Sequence, residues 1–145
     1  LAIGLHLRAK GADDRPFGPN QPPTLHSEAQ RLEQAQVVAR FVEEALSVDE
    51  DAAVIVLGDL NEHAFAPPLA ALRGAGLVSL LDRLPPEERS TFNFQGISQT
   101  LDYVLISPSL DAAAPKVDVV HRNADRAASR QASDHDPIVA LLPMG

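Results

Sequence analysis

The chain has 145 residues, the length of one domain and enough to bury most of its apolar surface. Hydrophobic residues make up 45% and charged residues 22%, and no apolar run approaches the roughly 20 residues that cross a bilayer, so a membrane-spanning helix is excluded. Cysteine is absent, which excludes disulfides, zinc-thiolate sites and thiol nucleophiles; the net charge of −8 argues against a passive electrostatic binder of nucleic acid, but not against an enzyme that meets phosphate through a bound cation.

The chain opens as if inside a strand. Leu1, Ile3, Leu5 and Leu7 alternate with Ala2, Gly4, His6 and Arg8, the two-residue period of a half-buried strand. Strands rarely start at a domain's first residue, because termini fray, so residues 1–145 read as a portion of a single, longer domain. Residues 11–26 are rich in breakers, including Pro16, Pro19, Pro22 and Pro23, and predict a long surface loop. Ser27 with Gln30 predicts a capping box opening a helix that runs to about Ser47. Leu32, Ala35, Ala39, Val42 and Leu46 form its apolar stripe, and Glu43, Glu44, Asp49, Glu50 and Asp51 read as a solvated end and turn. The unbroken apolar run at 53–57 predicts a strand buried on both faces, stopping at Gly58-Asp59-Leu60-Asn61. A short helix is expected at 67–73, stopped by Gly74. Strands follow at 91–94, 100–107, 117–120 and 138–142. In the second of these, Leu101, Tyr103 and Leu105 share one face, and Asp102, Val104 and Ile106 the other.

Three acidic residues stand out against this pattern. Asp59 ends a buried strand, Asp102 interrupts an apolar strand face, and Asp134 sits in Ser133-Asp134-His135-Asp136-Pro137 before the last strand. Each taken alone also fits ordinary turn or loop chemistry. Asp102 fits it least, since a carboxylate inside a half-buried strand needs a partner or its pKa must rise. His135 is the natural partner: a carboxylate on one imidazole nitrogen fixes the tautomer and leaves the other free to move a proton. Asp59 and Asp134, with Asn61 as a neutral donor, have the oxygen ligands to hold a hard divalent cation, which would relieve their mutual repulsion. Such a site suits attack of water on a phosphate ester. His6 either joins it or is a hydrogen-bonded structural histidine. Arg122, Arg126 and Arg130, spaced by four, either contact substrate phosphate or form a solvated loop or helix face. His26 and His63 lie in predicted loops and carry no pattern.

Gly58-Asp59-Leu60-Asn61, Thr100-Leu101-Asp102-Tyr103-Val104-Leu105-Ile106-Ser107 and Ser133-Asp134-His135-Asp136-Pro137 occur in the order and spacing of the endonuclease/exonuclease/phosphatase superfamily. Leu5-His6-Leu7 resembles its His-bearing strand, and Arg31-Leu32-Glu33-Gln34-Ala35 the helix that follows. Within the superfamily, the stretch 92–107 and the segment from His121 are most similar to bacterial extracellular nucleases. The resemblance implies an α/β fold, part of a four-layer α-β-β-α sandwich with mixed, largely antiparallel sheets, of which this chain is the C-terminal portion. It implies a metal-dependent phosphodiester hydrolase cleaving DNA or RNA, with Mg²⁺ (or Mn²⁺ or Ca²⁺) as cofactor. A phosphatase or sphingomyelinase-like phosphodiesterase of the same fold, or an inactive half-domain, are its alternatives. Asp134 would be a metal ligand, Asp59 and Asn61 would lie beside the metal and the attacking water, His135 would be the acid/base group, Asp102 would orient His135, and His6 would contact phosphate. Tyr103 replaces a common family His. The family's first half carries a metal-binding Glu and Asn without counterparts here, so that half, or self-association, is expected to cover an exposed sheet face. The same resemblance implies an extracellular or periplasmic location.

Overall fold

The computed structural model describes residues 1–11, 13–14 and 18–143. Its centre is a four-stranded sheet built from β1 (Ala2–His6), β2 (Ile55–Asp59), β6 (Asp102–Ile106) and β3 (Val78–Ser79), in that order. β1 and β2 are parallel, while β2 and β3 both run antiparallel to β6. A parallel pair needs a long crossover, and α1 (Glu28–Val48) supplies it. Two small antiparallel pairs complete the strands: β4 (Phe92–Phe94) with β5 (Ile97–Gln99), and β7 (Lys116–Val119) with β8 (Ile138–Leu141). Two shorter helices, α2 (Pro67–Gly74) and α3 (Pro108–Ala112), each begin with proline, whose missing N–H costs nothing there.

One face of the central sheet is covered by α1 and α2. Ala35, Ala39 and Val42 of α1 and Leu69 and Leu72 of α2 meet Val56, Tyr103 and Leu105 of the sheet in one buried cluster. The alanines let the helix backbone approach the strands closely. On the other face, Val104 and Ile106 pack with Leu80 and Leu110, and Ile138 and Ala140 of β8 lean against them. The β7–β8 ribbon thus lies across the β6 side of the sheet. This is a mixed α/β unit with mixed and antiparallel sheets, as the sequence implied; the described residues do not by themselves form four complete layers.

Several local expectations are corrected. The strand expected at 53–57 runs instead over Ile55–Asp59, and it is not buried on both faces: Val54 and Val56 are fully buried but Leu57 is 39% exposed. The ribbon covers β6 and leaves Ala2, Gly4 and Leu57 of β1 and β2 uncovered. β6 is the strand enclosed on both sides. Ser27 precedes α1 but makes no capping bond. Its hydroxyl donates to Asp13 Oδ2 at 2.7 Å and accepts from Arg31, so the capping box with Gln30 does not form. Gly58 sits inside β2 at φ +133°, and a Cβ there would stand 2.0 Å from the Leu5 carbonyl oxygen. Only glycine lets β1 and β2 pair at this level. α3, β3 and β5 were not expected; all three are too short to carry a periodic signal.

Candidate active site

Sheet register assembles the site. His6 pairs with Asp59, and Asp59 with Asp102, so three polar residues lie in one row across β1, β2 and β6. All three share the face opposite α1, because side chains alternate along each strand. His6 Nε2 lies 3.5 Å from Asp59 Oδ2, with the imidazole largely exposed.

His135 arrives from the segment before β8. An isolated antiparallel bridge joins it to Phe92 at the start of β4. Its Nδ1 stands 2.6 Å from Asp102 Oδ2, and its ring meets Phe92 at 4.8 Å between centroids. One ligand atom each from Asp59, Asp102 and His135 fall within 4.8 Å of one another. The site opens beside a cavity of about 330 Å³ lined by Leu57, Asp102, Asn123, Ser133, His135 and Ile138.

Asp59 is held from its own turn. The Asn61 backbone N–H donates to Oδ1 at 2.8 Å and the Asn61 amide donates to Oδ2 at 3.1 Å. Asn61 adopts φ +49°, a left-handed conformation that Asn tolerates better than most residues. The same amide nitrogen reaches the Leu7 carbonyl at 3.1 Å, which ties the turn to the end of β1.

Two residues to which the sequence pattern assigned no role hold the His135–Asp102 pair in place. Thr91 is fully buried, and its Oγ1 accepts the backbone N–H groups of Leu101 and Asp102, both at 3.1 Å. Its carbonyl accepts the Asp136 N–H at 2.7 Å. One side chain and its carbonyl thereby fix the spacing between the Asp102 strand and the His135 segment. Asp136 is also buried. Its Oδ1 accepts the N–H groups of Arg122, Asn123 and Ala124, and its Oδ2 faces His121 Nδ1 at 3.3 Å. Asn123 then donates to the His135 carbonyl at 3.0 Å. The sequence pattern assigned Asp136 no role of its own, because its partners lie 12 to 15 residues away.

These surroundings set the protonation behaviour. Burial alone would lower the His135 pKa, but the hydrogen bond and charge of Asp102, with Asp59 and Asp134 adding, outweigh it and raise it. The Asp59 pKa is raised, mainly by burial and further by Asp102, against the opposing Asn61 N–H. Burial pushes the Asp136 pKa up, yet the three backbone N–H groups overcome this and hold it below the ordinary carboxylate value. Two half-buried carboxylates beside one imidazole form a site that a divalent cation would stabilise, and oxygen donors suit a hard ion. The Nδ1 of His135 is already taken by Asp102, so its free Nε2 is the atom placed to give or accept a proton.

The remaining expected residues lie as follows. Asp134 is exposed and outside the group of three. Arg122, Arg126 and Arg130 are exposed, and among the described residues their guanidinium groups make no ion pair. They lie on an irregular segment with one short 3-10 turn at Ala128–Arg130, so their four-residue spacing does not mark a helix face. His26 is exposed, and His63 stacks on Phe65 at 5.4 Å, away from the row.

Comparisons with known proteins bear on the fold and the family. No curated protein matches the chain. Among solved structures, the 3′ phosphatase NExo from Neisseria, bound to product DNA hairpin, is 20% identical with a TM-score of 0.67, over 99% of this chain and 61% of that one. Truncated Caenorhabditis elegans TDP2 is 20% identical with a TM-score of 0.66, over 97% of this chain and 53% of that one. A mannosyl-6-phosphatase of Bacteroides thetaiotaomicron is 19% identical with a TM-score of 0.58, over 80% of this chain and 46% of that one. These likenesses establish a shared fold, and the chain spans about half to three fifths of the length of the first two. Residues 3–135 match the Endonuclease/Exonuclease/phosphatase family, a span that takes in the row of His6, Asp59 and Asp102 and ends on His135, and the chain belongs to that family.

Proposed function

We propose that the protein carrying this chain is a metal-dependent phosphodiester hydrolase that cleaves DNA or RNA by attack of water on phosphate. The observation that carries the reading is the Asp102–His135 bond of 2.6 Å beside Asp59. Asp102 holds the His135 ring through Nδ1 and stabilises its charged form, and Nε2 faces outward to protonate a leaving oxygen or take a proton from water. Asp59, steadied by both N–H groups of Asn61, is the base beside the attacking water. His6, at the open end of the row, contacts phosphate. Asp59, Asn61 and Asp134 would hold the cation, Mg²⁺ by preference; when bound it neutralises phosphate charge and polarises the phosphoryl oxygens. Exposed, and without an ion pair among the described residues, Arg122, Arg126 and Arg130 are candidate contacts for flanking phosphates.

Nucleic acid is favoured over other phosphoesters by a pair of aromatic rings beside His135. Phe92 lies against His135, and Phe94 stacks parallel to Phe92 at 6.4 Å and is 55% exposed. Aromatic faces leading away from the proton-transferring residue offer a stacking surface for bases. NExo, which is similar in fold, is a 3′ phosphatase and was captured with a DNA hairpin. The competing reading is a phosphomonoesterase, which the fold shared with a mannosyl-6-phosphatase supports.

The proposal includes a second segment that covers Ala2, Gly4 and Leu57 and completes the metal site, supplied by the rest of the polypeptide or by self-association. It also includes export from the cell, which cell fractionation tests. No helix of the described chain is long and apolar enough to cross a membrane. The deciding experiment is plasmid nicking by the intact natural polypeptide, with Mg²⁺ or Mn²⁺ and with EDTA, beside a panel of phosphomonoesters. Metal-dependent nicking that is lost in His135→Ala supports the proposal. Nicking that survives EDTA, or activity confined to monoesters, overturns it.

A further inference from the structure

Among the described residues, the ion pair of Arg31 with Glu62 is the most deeply buried. Arg31 is 1% and Glu62 is 3% exposed. Arg31 lies on the first turn of α1, and Glu62 directly follows Asn61. Arg31 Nε donates to Glu62 Oε2 at 2.8 Å, and Nη2 meets the same oxygen at 2.7 Å. The other Glu62 oxygen accepts the His63 N–H at 3.1 Å and faces Lys10 Nζ at 3.3 Å. The Glu62 carbonyl is also engaged: the Tyr103 hydroxyl bridges it and the Thr100 carbonyl, at 3.0 Å each. Arg31 further donates to the Arg8 carbonyl at 3.2 Å and approaches Asp13 Oδ2 at 3.4 Å.

Burying a pair of charges seldom raises net stability, because desolvation offsets the attraction. What this pair does is fix geometry. It joins α1, the segment after β1 and the turn after β2, the places that set where Asp59 and Asn61 stand. Asn61 holds both Asp59 oxygens from a left-handed conformation, and the next residue is clamped at its carboxylate and its carbonyl. We infer that Arg31 and Glu62 are positioning residues: the buried pair clamps the Asn61 turn so that Asp59 faces His135. The inference rests on the proposed function for its catalytic consequence and not for the clamp itself.

The test separates clamping from folding. In the double variant Arg31→Met/Glu62→Leu, both charges are replaced by apolar groups of similar size, so neither charge of the pair is left alone in the interior, while the Arg8 carbonyl and the His63 N–H each lose one partner. Amide exchange on the chain is followed by NMR. The Asn61 N–H is expected to exchange about tenfold faster or more, with the Val56 N–H in the sheet unchanged. In the intact natural polypeptide, kcat on plasmid DNA with Mg²⁺ is expected to fall about 10- to 100-fold with KM within about twofold, because a misplaced base costs turnover and not binding. Glu62→Gln keeps an acceptor for Arg31 and is expected to recover most of the Asn61 protection and of kcat. Unchanged Asn61 exchange in the double variant, or faster exchange with wild-type kcat, overturns the inference. If the double variant does not fold, Glu62→Gln carries the test, and Asn61 protection lost as completely as in Glu62→Ala overturns it. A wild-type polypeptide that hydrolyses no phosphoester refutes the proposed function instead, and the exchange measurement still decides the clamp.

Discussion

Thr91→Val replaces a buried hydroxyl with a methyl of nearly the same volume, so shape is conserved and chemistry is not. The lost Oγ1 accepts two backbone N–H groups, those of Leu101 and Asp102. Leu101 is 5% exposed, so water does not replace its lost partner. A buried donor left unmade costs about 1–3 kcal/mol, and the partly buried Asp102 donor costs somewhat less, which together give about 2–4 kcal/mol. For a domain of this size, each kcal/mol lowers Tm by roughly 2–4 °C, so a fall of about 5–15 °C is expected. Thr91→Ser keeps the acceptor and loses one methyl, at about 1 kcal/mol. The expected stability order is therefore wild type, then Ser, then Val. Apolar packing alone predicts the reverse order for the two variants. Urea unfolding of the chain, with equal m-values across the three proteins, measures the order directly. Thr91→Val at or above Thr91→Ser in midpoint would refute the assignment of Thr91 as the acceptor that joins the Asp102 strand to the His135 segment.

Other substitutions probe the remaining parts of the argument. Gly58→Ala drives a Cβ to 2.0 Å from the Leu5 carbonyl at φ +133°, so the β1–β2 pair must separate; a loss above about 4 kcal/mol is expected, and a soluble variant with a wild-type melting curve would contradict it. Asp102→Asn removes the largest of the influences that hold the His135 pKa up, so the NMR titration midpoint of His135 should fall below that of the wild type; an unmoved midpoint would show that the bond does not govern its protonation. Because the folded His135 pKa lies above 6.5, its pairing stabilises the chain fully below that pH and the contribution fades as pH rises through the folded value. Asp136 behaves oppositely. Its folded pKa lies below 3.8, so its stabilisation is full above that pH and is lost as pH falls through the folded value; in Asp136→Asn the acid limb of the stability curve should flatten, and a limb as steep as wild type would rule this out.

Local pattern made much of this protein legible. Alternation in Leu1, Ile3, Leu5 and Leu7 predicted β1, and spacing in Ala35, Ala39 and Val42 predicted the buried stripe of α1. Asp102 stood out because a carboxylate breaks an apolar strand face, and the structure pairs it with His135 as the residue types suggested. Ser27 and the strand at 53–57 misled for one reason. Each matches a local template, but the side chain's partner, or the layer that would bury the face, is set elsewhere in the chain.

Periodicity is a property of a few adjacent residues, so the sequence by itself determined the type of the longer elements, the buried stripe of α1 and the out-of-place acids. Register is not local. That His6, Asp59 and Asp102 share one row depends on how three distant strands slide against one another, and a slip of one residue would turn the row to the opposite face. Arg31 and Glu62, 31 residues apart, carry no local signal that they form a pair, and only packing brings them together out of water. Thr91 and Asp136 likewise gain their roles only from backbone groups that other segments deliver. Tertiary structure decided these because a buried polar group must be satisfied, and the segment that satisfies it is chosen by the packing of the whole chain.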